Sequence, residues 1–254
     1  MRKSGPGHSH NSITDCDCLK QRSFCGLCSV TQEQLHTMFV LGLITCVVLR
    51  AFSAQAKVVH SFDECGWFFY RHTEPSGMDQ NAKKICQMLE NRGFYYASLY
   101  SVHHKIPLYS AYTLDPRCSS SHGRPKDWRL EPQGTMRNQA ISSDYSGTGY
   151  DRGHLNPNSF QSDDGRTATF TLTNAAPMDA RFNRVHWKSW ESTLRSSLLK
   201  QLVMDRGLAT AYIVTGTVPD PNVRIPQRGT SEEPERVSVP SHIWTAVCYK
   251  HFIQ

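Results

Sequence analysis

The longest periodic stretch of this chain constrains its fold most. Asn183, Trp187, Glu191, Leu194, Leu198 and Leu202, with Trp190 beside them, recur at intervals of three or four, and Gly207 closes the run. That is the spacing of one face of an α-helix with a glycine stop. Such a helix cannot bury its stripe alone and needs a sheet or further helices to pack on. On it, Asn183 and Glu191 lie two turns apart on nearly the same face, with Trp187 between them. Polar groups sharing a stripe with tryptophans are expected to be paired or functional, because burying them unpaired is costly.

Strand-like runs stand on both sides of that helix. Residues 94–100 and 106–114 are rich in aromatics and read as two strands joined by a turn at His103-His104-Lys105, whose histidines are read as exposed turn residues rather than metal ligands. Residues 168–173 read as a strand ending at Asn174, residues 209–217 as a core strand, and residues 237–249 as the last strand. Residues 79–92 fit a short helix on Ala82, Ile85, Cys86 and Leu89, ended by Gly93. The Asp163-Asp164 pair reads as a solvated turn, and residues 219–236 as a polar, proline-rich loop. A long irregular stretch over 115–149 is expected to be functional or pinned, with Cys118 as a pin. No internal repeat or second domain is evident.

The N-terminal part is of another kind. Residues 38–49 are an apolar run too short to span a bilayer comfortably, and it is followed by the small-x-small pattern Ala54-Gln55-Ala56. Together they read as a signal peptide with Lys57 as the first mature residue, the alternatives being a membrane anchor or a buried helix. Residues 1–37 read as a dispensable leader; their cluster Cys16, Cys18, Cys25 and Cys28 has a zinc-binding alternative. Residues 57–254 form the remaining domain. Four of the nine cysteines lie in it, namely Cys65, Cys86, Cys118 and Cys248, and in an oxidising compartment they predict two disulfides of open connectivity. The chain carries +6 overall, mildly basic and compatible with a polyanionic partner without requiring one.

The densest polar segment is Tyr150-Asp151-Arg152-Gly153-His154-Leu155-Asn156-Pro157-Asn158. Arginine can hold a phosphate at two points. Histidine moves a proton near neutral pH, and asparagine offers a neutral oxygen to a hard cation. Those are the parts needed to cut a phosphodiester. By itself the segment would pass for a surface turn between strands, and the helix carrying Asn183 and Glu191 is what changes that reading.

Asp151-Arg152-Gly153-His154, then Asn174-x-x-Pro177, Asn183 and Glu191, resembles the DNA/RNA non-specific endonuclease family. The resemblance covers about residues 58–250. It implies an α+β protein of the ββα-metal (His-Me finger) kind, a central mostly antiparallel sheet with flanking helices. It implies His154 as general base, Arg152 on the scissile phosphate, and Asn183 as the single protein ligand of one hydrated Mg²⁺, with Mn²⁺ as a substitute. Glu191 would hold metal-bound water, Asn174 would support the site, and Asp151 would fix a turn as an acceptor. The expected substrates are DNA and RNA, bound through the phosphate backbone. Family members usually continue past the strand at 242–249, which motivates a second reading, a catalytically weak nuclease-like binding or regulatory protein.

Overall fold

The computed structural model describes residues 56–250 apart from 80, 90–91, 119–124, 126, 133–137 and 227–234. The leader, its cysteine cluster and the apolar run over 38–49 lie outside the described residues. Among those residues no helix is long and apolar enough to cross a membrane.

Eight strands appear in chain order: β1 (Lys57–Val59), β2 (Lys83–Met88), β3 (Phe94–Ser101), β4 (Ile106–Thr113), β5 (Tyr150–His154), β6 (Ala175–Asp179), β7 (Thr210–Ile225) and β8 (Val237–Lys250). Six form one antiparallel sheet in the order β1-β2-β3-β4-β7-β8, and β5 pairs with β6 in a separate antiparallel pair. Among the described residues two α-helices accompany them, α1 (Asp163–Ala168) and α2 (Lys188–Met204). The architecture is α+β, as expected.

Alternation within the strands sends side chains to two layers. Tyr96, Tyr112, Ala211 and Ile213 pack with Leu198 and Leu202 of α2 on one face. Ala97, Leu99, Tyr109 and Ala111 pack with Phe62, Phe68 and Phe69 on the other. The helix ends as its sequence implies. Gly207 takes φ +71° and its N–H donates to the Leu202 carbonyl at 2.8 Å, which satisfies an open carbonyl of the last turn.

Five local expectations are overturned. Residues 79–92 contain the strand β2 rather than a helix. Ile85 packs on Ala56 and Tyr100 while Cys86 points into the opposite cluster, so both faces are covered and the period of two is hidden. The residues over 168–173 do not form a strand. Asp163 and Asp164 open α1, where acidic side chains suit the positive end of a helix. Leu172–Asn174 form a 3₁₀ turn, and only an isolated bridge joins Thr171 to Arg129. The loop expected over 219–236 is shorter, because β7 and β8 pair on as a ribbon to Ile225 and Val237. Finally, one disulfide is present among the described cysteines, Cys65–Cys86. Cys118 is buried beside Arg195 and Cys248 lies exposed on β8; both are free thiols, so Cys118 is not a covalent pin.

Candidate active site

β5 and β6 set the catalytic frame. Their register places His154 opposite Ala175 and Arg152 opposite Pro177. A Cβ on Gly153 would lie 2.2 Å from the Met178 sulfur, so any side chain there would have to displace the buried Met178. Beyond His154 the chain is held by Asn174, which is fully buried. The Leu155 N–H donates to the Asn174 backbone carbonyl at 3.0 Å, and the Asn156 N–H donates to Asn174 Oδ1 at 2.9 Å. Asn174 Nδ2 donates in turn to the carbonyls of Asn156 and Thr169. Ser110 of β4 donates to Asn174 Oδ1 at 3.0 Å, which ties this brace to the main sheet. Asn174 therefore stands behind the histidine loop and does not line the cleft.

The imidazole of His154 packs in a three-ring cluster, 4.5 Å from Trp128 and 4.7 Å from Phe170 by centroids, with those two rings 5.4 Å from each other. Arg152 places its guanidinium 5.6 Å from the centre of the same Trp128 ring, a cation–π arrangement. Trp128 thus holds both residues of the motif from one side.

The rest of the site is built at the start of the long helix. The six residues Phe182–Trp187 form a π turn that runs directly into α2. Such turns recur where a helix is shaped for function. Asp179 Oδ1 accepts the Phe182 N–H at 2.8 Å and fixes the entry. Asn183 Nδ2 donates to Asp151 Oδ2 at 3.0 Å, while Arg184 grips the same carboxylate through Nε at 2.8 Å and Nη2 at 2.6 Å. With its nitrogen committed to Asp151, the Asn183 amide has its carbonyl oxygen left to offer to a ligand. One amide oxygen with a nearby carboxylate is a hard-oxygen donor set, and a set this small suits a divalent cation that keeps most of its waters.

Arg152, His154, Asn183 and Glu191 all line one open cleft of about 480 Å³, together with Pro157, Asn158, Ser159, Arg184, Lys188 and Ser192. Burial pushes the Glu191 carboxyl up to about 7, with the Trp187 indole pulling the other way. The residues not singled out from sequence are Trp128, Arg184 and Lys188. Arg184 and Lys188 share the helical spacing of Glu191 and were open to the same periodic reasoning. Trp128 sits in the irregular stretch and carried no signal.

A strand pair and a long helix, set beside an antiparallel sheet, bring a His, an Asn and an Arg to one cleft. Residues 82–251 match the model of the DNA/RNA non-specific endonuclease family, and the chain belongs to that family, one of nucleases. Among relatives, the Endonuclease domain-containing 1 protein of Homo sapiens is 34% identical over 210 residues, covering 74% of this chain and 39% of that protein. Its Mus musculus counterpart is 31% identical over 219 residues, with the same coverage of 74% and 39%. A nuclease of Nostoc sp. is 32% identical over 118 residues, 46% of this chain and 37% of that one. The chain thus spans about two fifths of the length of the human and mouse relatives. A solved EndoG/EndoGI complex superposes with a TM-score of 0.46 at 20% identity, covering 60% of this chain and 64% of that one.

Proposed function

We propose that this chain is an exported, Mg²⁺-dependent, sugar-non-specific endonuclease that hydrolyses phosphodiester bonds of DNA and RNA. The observation that carries the reading is the single cleft shared by Arg152, His154, Asn183 and Glu191. Export is supported by the apolar run and the small-x-small pattern before Lys57.

In this reading His154, packed against Trp128 and Phe170, takes the proton from a water molecule. The water oxygen bonds to phosphorus while the bond from phosphorus to the leaving sugar oxygen breaks. General-base help of this kind is worth about 10²–10⁴-fold. Arg152 holds the non-bridging oxygens of the scissile phosphate, and its contact with the Trp128 face orients the guanidinium for that task. Asn183 would hold the divalent cation through its carbonyl oxygen, with Glu191 orienting water beside it. Bound there, the cation supplies charge stabilisation as the phosphate becomes more negative. Arg184 and Lys188 extend the positive lining along the cleft. None of these groups needs a base edge or a 2′-hydroxyl, so both DNA and RNA fit, and binding weakens as salt rises.

The test is digestion of plasmid DNA and of RNA by the folded, oxidised protein with Mg²⁺, with EDTA, and with His154→Ala. Cutting of both substrates that EDTA and the substitution abolish is expected. A folded wild-type protein that binds nucleic acid without cutting it would replace the enzyme reading with that of a binding protein.

A further inference from the structure

Glu131 is a buried carboxylate that the proposed reaction does not use. It is 3% exposed. One oxygen, Oε2, accepts the backbone N–H of Ala56 at 3.0 Å, and the other, Oε1, accepts the Thr173 hydroxyl at 3.1 Å. Its own backbone is clamped by Gln139, whose amide accepts the Glu131 N–H and donates to the Glu131 carbonyl. Ala56 is 1% exposed and packs against Ile85 and Tyr100. It is the residue that the pattern Ala54-Gln55-Ala56 would remove with the leader.

The connection continues into the site. Thr173 immediately precedes Asn174, the residue whose side chain and carbonyl hold Leu155 and Asn156 just beyond His154. Two hydrogen bonds therefore link Ala56 through Glu131 to Thr173, whose backbone leads directly into the brace of the histidine loop.

We propose that Glu131 is the receptor for the N-terminal end of the folded domain, that Ala56 is kept in the working protein, and that Thr173 transmits this attachment to Asn174. The physical reason is the cost of leaving a buried carboxylate short of donors. Cleavage after Ala56 would take away one of the donors that hold Glu131 and the methyl group that fills the space beside Ile85 and Tyr100. A second small-x-small pattern, Ala51-Phe52-Ser53, stands three residues earlier, and a cut after Ser53 leaves Ala56 in place. Burial pushes the Glu131 carboxyl up to about 7, opposed by its bonds to Thr173, Gln87 and Ala56. The group is thus costly to ionise and depends on those donors. Trimming that reaches Lys57 would loosen the histidine loop from a distance, so the position of the cut would set how well the site is ordered.

Two measurements test this, and neither requires nuclease activity. The first is N-terminal sequencing of the protein recovered from a secreting host after expression of the full chain. A first residue at or before Ala56 is expected, Ala54 under the earlier pattern; Lys57 or any later residue overturns the proposal. The second is amide hydrogen exchange of Leu155 and Asn156 in Glu131→Gln and Thr173→Val, with Leu198 in α2 as the internal control. Exchange at least tenfold faster at Leu155 and Asn156, with Leu198 unchanged, is expected. Unchanged rates at both positions overturn the coupling. Thr173→Val is nearly isosteric and carries the test if Glu131→Gln does not fold.

Discussion

The Asp151 carboxylate accepts a hydrogen bond from the Asn183 side-chain amide at 3.0 Å and a two-point contact from Arg184. Expected from sequence to fix its own turn, Asp151 instead reaches across to the π turn that begins the long helix. It joins the strand that carries His154 to the residue that would hold the cation. The spacing between the strand of His154 and Asn183 therefore depends on this carboxylate.

Asp151→Asn keeps the shape and removes the charge. The concentration of Mg²⁺ needed for half-maximal cleavage is expected to rise about tenfold, the lower end of what is lost when the orienting partner of a metal ligand is changed. Arg184→Gln leaves the Asn183 contact intact and should instead flatten the salt dependence of substrate binding. A titration of cleavage rate against Mg²⁺ in both variants separates the two. An unchanged requirement in Asp151→Asn would remove the positioning role.

Glu191 predicts a pH dependence with a definite sign. Its carboxyl is raised by burial from 4.5 to about 7, so it is mostly neutral below that pH and ionised above it. Orienting water by accepting a hydrogen bond requires the ionised form, so the rate should rise as pH passes through about 7. A cation close by favours the carboxylate, and the midpoint should move to lower pH as Mg²⁺ is increased. Rate–pH profiles at two Mg²⁺ concentrations measure this, and Glu191→Gln should lose the shift. In EDTA the same group acts on stability. The folded state holds the proton more tightly than the unfolded one, so stability present at low pH is lost as pH rises through about 7. Glu131 shifts in the same direction, and melting curves of each Gln variant apportion the effect.

Gly153→Ala drives a methyl group into Met178, whose sulfur would be 2.2 Å away and which is itself 2% exposed. Overpacking of this kind costs about 1–3 kcal/mol. Urea denaturation of Gly153→Ala, Met178→Ala and the double variant should show the double costing less than the sum of the singles. Strict additivity would mean the strands part without using that contact.

The cysteines give a third kind of readout. Removing the Cys65–Cys86 bridge as the double serine variant should cost about 3 kcal/mol, as expected for a loop closed over 21 residues. Thiol labelling of the native protein, mapped by mass spectrometry, should modify Cys248 and spare Cys118 until the chain is unfolded. A peptide joining Cys118 to Cys248 would contradict the arrangement of the sheet.

The parts that the amino-acid sequence determined alone are those whose signal is local. The spacing from Asn183 to Leu202 and the stop at Gly207 specify a helix, and the aromatic runs in β3 and β4 specify strands by residue type. Asp151-Arg152-Gly153-His154 offers residue types suited to phosphate and proton chemistry, and it takes on meaning only beside the helix carrying Asn183 and Glu191. What only the tertiary structure decided are the contacts made far along the chain. β2 is a strand because β1, β3 and the disulfide cover it on every side, which erases the periodicity that marks a half-buried strand. Thr169 to Asn174 turn rather than extend because Arg129 and the buried Asn174 amide offer their backbone other partners. Trp128 reaches His154 and Arg152 from an irregular stretch, and Asp151 reaches Asn183 across 32 residues. Such pairings follow from packing the sheet, the strand pair and the helix around one core, and no short window of sequence contains both partners.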